Sequence, residues 1–164
     1  MKWNKIINDK IFQSTSTLVQ TITKWKESQD KIVFTNGCFD ILHLGHIDYL
    51  TKAADLGNRL IIGVNTDHSV SNIKGPSRPI IEESTRLAKL ASFAFVDAVI
   101  LFNEETPIKL IKSLEPNVLV KGGEYSLQTI VGADFVKSNG GEAIVIPFLD
   151  GHSSTNYINK INQS

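Results

Sequence analysis

The segment Lys31–Leu50 reads KIVFTNGCFDILHLGHIDYL, and its order of apolar and small residues decides the fold. The apolar, β-branched run at 32–35 predicts a buried strand, and Asn36 and Gly37 end it. From about Gly45 the apolar residues recur at helical spacing, so a helix is expected to begin there. The first turn of a helix has unpaired amide hydrogens and the positive end of the helix dipole. The segment therefore predicts a phosphate-binding site.

Two histidines lie at the start of that helix. His43 and His46 are three residues apart, so both imidazoles can face the same side, while Gly45 between them has no side chain to block a ligand. Two other interpretations remain open, namely zinc ligands and ordinary hydrogen-bonded histidines. Cys38 could be a nucleophile, but a small packing residue is the simpler interpretation, because no sequence feature supplies an activating environment.

The composition limits the classes of protein to consider. A chain of 164 residues with 41% hydrophobic residues fits one domain of ordinary size. Its 17 basic and 17 acidic residues balance, which argues against nucleic-acid or membrane-surface partners. A single cysteine excludes an intramolecular disulfide, and no signal peptide or membrane span is visible. We therefore expect a cytoplasmic protein.

Apolar strands alternate with amphipathic helices along the rest of the chain. This order predicts an α/β fold: a Rossmann-like, five-stranded parallel sheet with helices on both faces, preceded by a short N-terminal helix at about 15–26. We expect an N-terminal helical extension at 1–30, followed by a single domain at 31–164. The strands are expected at 32–35, 59–64, 96–102, 118–121 and 142–146.

Several polar segments should meet where these strands end. The segment 68–79 is predicted to be a loop that brings Lys74 and Arg78 over the phosphate site, and on composition alone a solvated connection is the alternative. Lys121, before Gly122 and Gly123, could bind a second anion such as a sugar phosphate, or could simply precede a tight turn. We also expect Gly57 to end a helix in the left-handed conformation.

The C-terminal region offers a second anion site. Ser153 is a typical cap for a final helix, and the first turn of that helix would present hydroxyls and free amides. Following the last parallel strand, this helix should begin on the same side as the histidine pair. Two helix N-termini would then converge on one polyphosphate.

These motifs resemble a known superfamily. Asn36–Asp40 followed by His43–His46 is similar to the signature of the HxGH nucleotidyltransferases, in their cytidylyltransferase-like branch. The match extends over most of the chain and is closest to the D-glycero-D-manno-heptose-1-phosphate adenylyltransferases, which occur as the C-terminal domain of bifunctional heptose enzymes or as separate proteins. The further matching motifs are Gly63–Asp67, Lys74–Gly75 with Arg78–Pro79, Arg86–Ala88, Val120–Gly123, Asn139–Glu142 and Asp150–Thr155.

The resemblance implies transfer of AMP from ATP, with Mg²⁺, to a heptose 1-phosphate, releasing pyrophosphate. The residues that it implies for catalysis are His43, His46 and Lys74. Those implied for nucleotide binding are Asn36, Gly37, Cys38, Phe39, Asp40, Gly45, Asn65, Asp67, Arg78, Arg86, Ser153, Ser154 and Thr155. Those implied for the sugar phosphate are Lys121, Gly122 and Gly123. No residue is assigned as a resident metal ligand.

Other functions remain open at this point. The acceptor could be another small phosphate such as glycerol 3-phosphate, although the glycerol-phosphate enzymes carry an arginine where this chain has Phe148. A nucleotide-binding regulatory domain without turnover is a different class of function. The sequence leaves open whether the protein forms a homo-oligomer such as a dimer.

Overall fold

The computed structural model describes residues 2–123, 126, 129–147 and 149. Its helices are α1 (Trp3–Asn8), α2 (Thr15–Glu27), α3 (Leu44–Ala54), α4 (Asp67–Lys74), α5 (Glu83–Ala91), α6 (Ile108–Leu114) and α7 (Ala133–Ser138). Its strands are β1 (Ile11–Phe12), β2 (Ile32–Gly37), β3 (Arg59–Asn65), β4 (Ala98–Phe102), β5 (Val118–Gly122) and β6 (Glu142–Ile146). Within this described part, no helix has both the length and the apolar character needed to cross a bilayer.

The strands form one parallel sheet in the order β1-β4-β3-β2-β5-β6. The predicted α/β architecture with a parallel sheet is confirmed, but the predicted number of five strands is wrong, because the described residues form six. The additional strand is β1, in which Ile11 pairs with Val99 of β4. Two residues are too few to show the alternation that identifies a strand in a sequence. The proposed division of the chain at residue 30 stays a prediction.

The segment after β3 is the second departure from the predicted fold. Residues 68–79 were expected to be a loop, whereas residues up to Lys74 belong to helix α4. The hydroxyl of Thr66 accepts a hydrogen bond from the Ser69 amide and caps the helix. Within the helix, the side chain of Val70 is fully buried. Few apolar residues occur in this helix, so its periodicity is weak in the sequence.

Two apolar clusters cover the two faces of the sheet. One contains side chains from α2, α6 and α7, and the other contains side chains from α3 and α5. Leu18 and Ile22 of α2 are buried in the first cluster, so the predicted amphipathic helix near the N-terminus is confirmed. The sheet is therefore covered on both faces, as expected for a parallel sheet.

Gly57 is needed for a reason other than the one predicted. It was expected to adopt the left-handed conformation, but Gly57 is not among the residues with positive φ, and Asp55, which follows α3, is in the right-handed region. A Cβ atom on Gly57 would lie 2.6 Å from the carbonyl oxygen of Lys31. Close approach of two backbone segments therefore explains this glycine.

Candidate active site

The candidate site lies where the strand order of the sheet reverses. Strand β2 is the pivot, since β3 and β5 pair with its two sides and the chain continues outward in both directions. Ligands of open α/β sheets bind at such a point, beyond the carboxyl ends of the strands. Asn36 and Gly37 end β2, and Lys121 and Gly122 end β5 beside them. All four residues line a cavity of about 520 Å³.

The histidine pair lies at one side of this cavity. The ring centroids of His43 and His46 are 3.9 Å apart, and His43 is the residue that precedes the first turn of α3. The ring of Phe39 is 5.6 Å from that of His46, centroid to centroid. Gly45 is buried in the first turn between the two histidines. The predicted arrangement of both imidazoles on one side of the helix start is therefore confirmed.

The surroundings of His46 keep its imidazole neutral. Burial lowers the pKa of His46 from 6.5 to about 4, and the nearby His43 and Lys74 add to the effect because each disfavours a second positive charge. A neutral imidazole still carries one N–H group and can donate a hydrogen bond to a phosphate oxygen. Lys74, the last residue of α4, is close enough to affect this titration and also lines the cavity.

Asp40 fixes the loop that follows α4. Its carboxylate accepts hydrogen bonds from the amides of Ile80 and Ile81 at 2.9 and 2.8 Å, and from the guanidinium of Arg78 at 2.6 Å. Arg78 was predicted to reach nucleotide phosphates, whereas in this structure its side chain is only 16% exposed and is paired with Asp40. The described contacts of Arg78 are thus those of a residue that positions the loop, and direct phosphate contact stays a prediction.

Arg86 holds three segments together from inside the protein. Its side chain is 0% exposed and donates hydrogen bonds to the carbonyl oxygens of Cys38 and Ile81 and to the carboxylate of Asp67. Neither Arg86 nor Asp67 lines the cavity. Both were predicted to bind nucleotide, and that role stays a prediction. The contacts seen here instead connect the loop between β2 and α3, residues 38–43, which we call the signature loop, to α4 and α5.

The floor of the cavity is polar. The Lys121 ammonium donates to the carbonyl oxygen of Asn36 at 3.4 Å, and burial lowers the pKa of Lys121, while the adjacent Cys38 opposes this shift. The thiol of Cys38 lies 3.9 Å from the side-chain oxygen of Asn65, which lines the cavity as well. Gly123, also predicted to bind substrate, has a φ of 112° and donates its amide to Ile146.

Sequence analysis did not identify one wall of the cavity. This wall consists of the segments 105–107 and 129–131, which precede α6 and α7, and Tyr49 and Ile73 also line the cavity. Residues 105–107 follow the carboxyl end of β4, and this position at the ligand-binding edge was the signal that could have identified them. Ser153, Ser154 and Thr155 lie outside the described residues, as does the predicted convergence of two helix N-termini.

The described residues include no group of three or more histidine, cysteine, aspartate or glutamate side chains arranged to hold a metal ion. The carboxylate of Asp40 is occupied by Arg78 and two amides. Mg²⁺ is often held by substrate phosphates, water and only one or two carboxylates, and such an ion does not require a dedicated protein cage.

Histidines, lysines and the amides of a helix start lie together at the switch point, which is where the strand order of the parallel sheet reverses. This arrangement is typical of a phosphate-binding α/β protein. The family model described as cytidylyltransferase-like matches residues 34–159, which is most of the chain. The protein belongs to the cytidylyltransferase-like family.

Proteins of similar sequence align with most of this chain. The bifunctional protein HldE from Methylobacillus flagellatus is 48% identical over 153 residues, which are 93% of this chain and 31% of that protein. The HldE of Koribacter versatilis is 46% identical over 145 residues, or 88% of this chain and 30% of the relative. The chain therefore spans less than a third of the length of these relatives.

Solved structures agree with the fold. The lipopolysaccharide core biosynthesis protein from Thermoplasma volcanium is 28% identical, with a TM-score of 0.59, and the match covers 73% of this chain and 97% of that one. A pantoate-beta-alanine ligase from Francisella tularensis has a TM-score of 0.61 over 94% of this chain and 78% of the ligase. At 18% identity, the second likeness concerns the fold alone.

Proposed function

We propose that this protein transfers AMP from ATP to D-glycero-D-manno-heptose 1-phosphate, giving ADP-heptose and pyrophosphate for nucleotide-sugar biosynthesis. The observation that carries the proposal is the single cavity into which His43, His46, Lys74 and Lys121 all converge. Membership of the cytidylyltransferase-like family supports nucleotidyl transfer, and the similarity to HldE proteins supports a heptose phosphate as the acceptor.

The reaction needs little covalent chemistry from the protein. An oxygen of the sugar phosphate attacks the α-phosphorus of ATP, the bond from that phosphorus to the bridging oxygen of the β-phosphate breaks, and pyrophosphate leaves with the negative charge. The attacking phosphate is already ionised, so no general base is required, and Asp40 has its carboxylate occupied by Arg78 and backbone amides. Catalysis then consists of positioning and electrostatic stabilisation.

Different residues of the cavity would have different roles in the reaction. Neutral His46 and its neighbour His43 would donate hydrogen bonds to the oxygens on which charge develops, with Lys74 beside them. Lys121, at the end of β5, would hold the attacking phosphate. Mg²⁺, bound with ATP, would neutralise part of the charge on the β- and γ-phosphates. Ser153, Ser154 and Thr155 would bind those phosphates from the final segment.

The proposal is tested by incubating the protein with Mg²⁺, one nucleotide and one acceptor, and then measuring pyrophosphate and the mass of the product. The panel combines ATP or CTP with heptose 1-phosphate or glycerol 3-phosphate. We expect ADP-heptose from ATP and heptose 1-phosphate, at a higher kcat/KM than any other pair gives. Tight nucleotide binding without pyrophosphate from any acceptor would instead identify a regulatory domain. We further propose that the reaction takes place in the cytoplasm.

A further inference from the structure

The two sides of the cavity differ in chemistry. On one side lie the signature loop, the start of α3 with the histidine pair, and Lys74. A second wall is formed by residues that precede α6 and α7, and buried side chains of both helices belong to the same apolar cluster. The residues of this wall are Glu105, Thr106, Pro107, Thr129, Ile130 and Val131. We call these six residues the acidic wall, because they include a carboxylate and no cation.

Glu105 is the residue of the acidic wall whose negative charge would repel a phosphate. Two acidic residues line the cavity, Asp40 and Glu105, and the charge of Asp40 is compensated by Arg78 at 2.5 Å. Among the contacts between described residues, none engages the carboxylate of Glu105, whereas the neighbouring Glu104 pairs with Lys109 at 3.7 Å. A carboxylate repels phosphate but accepts strong hydrogen bonds from hydroxyl groups.

The two residues that precede Glu105 make hydrogen bonds to the segment that follows β3. The hydroxyl of Thr66 lies 2.6 Å from the side-chain oxygen of Asn103, and the hydroxyl of Ser69 donates to the carbonyl oxygen of Glu104 at 3.4 Å. Ser69 in turn accepts from the amide of Asn65, which lines the cavity floor. These contacts connect the segment that leads to Glu105 with the segment after β3, which begins at the edge of the cavity.

We propose that Glu105, together with the hydroxyls of Thr106 and Thr129, binds the hydroxyl groups of the acceptor sugar and so selects a polyhydroxylated acceptor. This inference rests on the proposed function and deepens it. A sugar phosphate has one anionic end and a neutral end dense in O–H donors, and the cavity offers cations at its floor and a carboxylate on its wall. Glu105, Thr106 and Thr129 are all exposed to solvent, so the selectivity would come from hydrogen bonds that form when a hydroxyl-bearing acceptor occupies the cavity.

The test compares Glu105→Ala and Glu105→Gln with the matched control Glu104→Gln, in steady-state kinetics with each substrate varied in turn. We expect Glu105→Ala to raise the KM for heptose 1-phosphate by about tenfold or more, as loss of a hydrogen bond to a charged group does. The KM for ATP and the Mg²⁺ concentration for half-maximal rate should change by less than about twofold. Glu105→Gln keeps an oxygen acceptor and should fall between, and Glu104→Gln should behave as the unchanged protein.

Three outcomes would overturn this assignment. An unchanged KM for the sugar phosphate would show that Glu105 does not contact the acceptor. An increase confined to the KM for ATP would assign the acidic wall to the nucleoside, and an increased Mg²⁺ requirement would assign Glu105 to the metal ion. If the unchanged protein forms no nucleotide sugar at all, the proposed function fails. In that case calorimetry measures the binding of heptose 1-phosphate to the unchanged protein and to the same three variants. Equal binding to all of them would also reject the role of Glu105.

Discussion

The guanidinium of Arg78 lies 2.5 Å from the carboxylate of Asp40, whose side chain is only 1% exposed. Burial by itself raises the pKa of Asp40, but hydrogen bonds from the amides of Ile81 and Ile80 and the charge of Arg78 outweigh it and hold the pKa below 3.8. The ionised carboxylate thus joins the signature loop to the segment after α4. Lys74, the last residue of α4, lies four residues before Arg78 in the chain.

Asp40→Asn removes the charge and keeps the shape of the side chain. We expect a loss of about 3 kcal/mol in the free energy of unfolding at pH 7, measured in urea, because the partner charge stays partly buried. The matched control is Asp48→Asn, which breaks the more exposed pair with Lys52 and should cost less than about 1 kcal/mol. Equal losses in the two variants would contradict a special role for the buried pair.

The lowered pKa of Asp40 also predicts how the free energy of unfolding changes at acid pH. A carboxyl group whose pKa is lowered by folding contributes stability that is present above its unfolded pKa of 3.8 and is lost as the pH falls through the folded value. The unchanged protein should therefore lose stability below about pH 4 more steeply than Asp40→Asn. Parallel curves of unfolding free energy against pH for the two proteins would reject this linkage.

His43→Ala should lower turnover by about a hundredfold or more without unfolding the protein, as the loss of one donor to a transition state does elsewhere. The control is His68→Ala in α4, since His68 does not line the cavity. Pyrophosphate release measures turnover, and circular dichroism checks the fold. Turnover near that of the unchanged protein would exclude His43 from the reaction.

Much of the fold was accessible from sequence because its signals are local. The strands from residue 32 onward and the helix that starts beside His43 show clear periodicity, and the structure confirms them. Strand β1 was missed because two residues have no periodicity, and α4 because only Val70 is fully buried in it. Parallel pairing followed from the alternation of strands and helices.

The site was predictable only in part, because burial and pairing depend on tertiary structure. The sequence identified the histidine pair, Lys74 and Lys121, which share the cavity. It could not indicate that Arg86 is completely buried, since an arginine in an amphipathic helix is usually exposed. Glu105 was missed for a different reason. It is exposed, and the residue types at 103–107 do not show by themselves that this carboxylate lines a cavity.

The His46 imidazole should titrate near pH 4, as followed by NMR of the ring signals. Burial is the largest cause, and His43 and Lys74 contribute. Lys74→Gln should raise the His46 pKa, because it removes a positive charge and leaves the burial unchanged. Bound ATP should raise it further. A midpoint near 6.5 in the unchanged protein, or no change on removing the charge of Lys74, would contradict this description of the site.

This titration also has a consequence for stability. Because the folded pKa of His46 lies below the unfolded value of 6.5, the unfolded chain binds the proton first as the pH falls. Stability from this group is complete above pH 6.5 and decreases as the pH falls towards 4. His46→Gln should therefore show a smaller loss of unfolding free energy over this window. An equal loss in the two proteins would indicate that His46 is not responsible.

Tyr49 lines the cavity and connects α3 to two strands of the sheet. Its hydroxyl makes a hydrogen bond with the hydroxyl of Thr35 on β2 and lies 3.5 Å from the carbonyl oxygen of Val120 on β5. Tyr49→Phe should cost about 1 kcal/mol in the free energy of unfolding, because a buried hydroxyl loses its partner. Since Tyr49 connects α3 to both strands that flank the switch point, we also expect kcat to fall more than the affinity for ATP changes.

A double-mutant cycle with Thr35→Val separates this hydrogen bond from simple packing. If the two hydroxyls stabilise each other, the double variant should be more stable than the sum of the two single losses predicts, by about 0.5 kcal/mol or more. The reason is that removing both partners leaves no buried polar group unsatisfied. Strictly additive losses would mean that Tyr49 and Thr35 act independently, and the positioning of α3 would then depend on its apolar contacts alone.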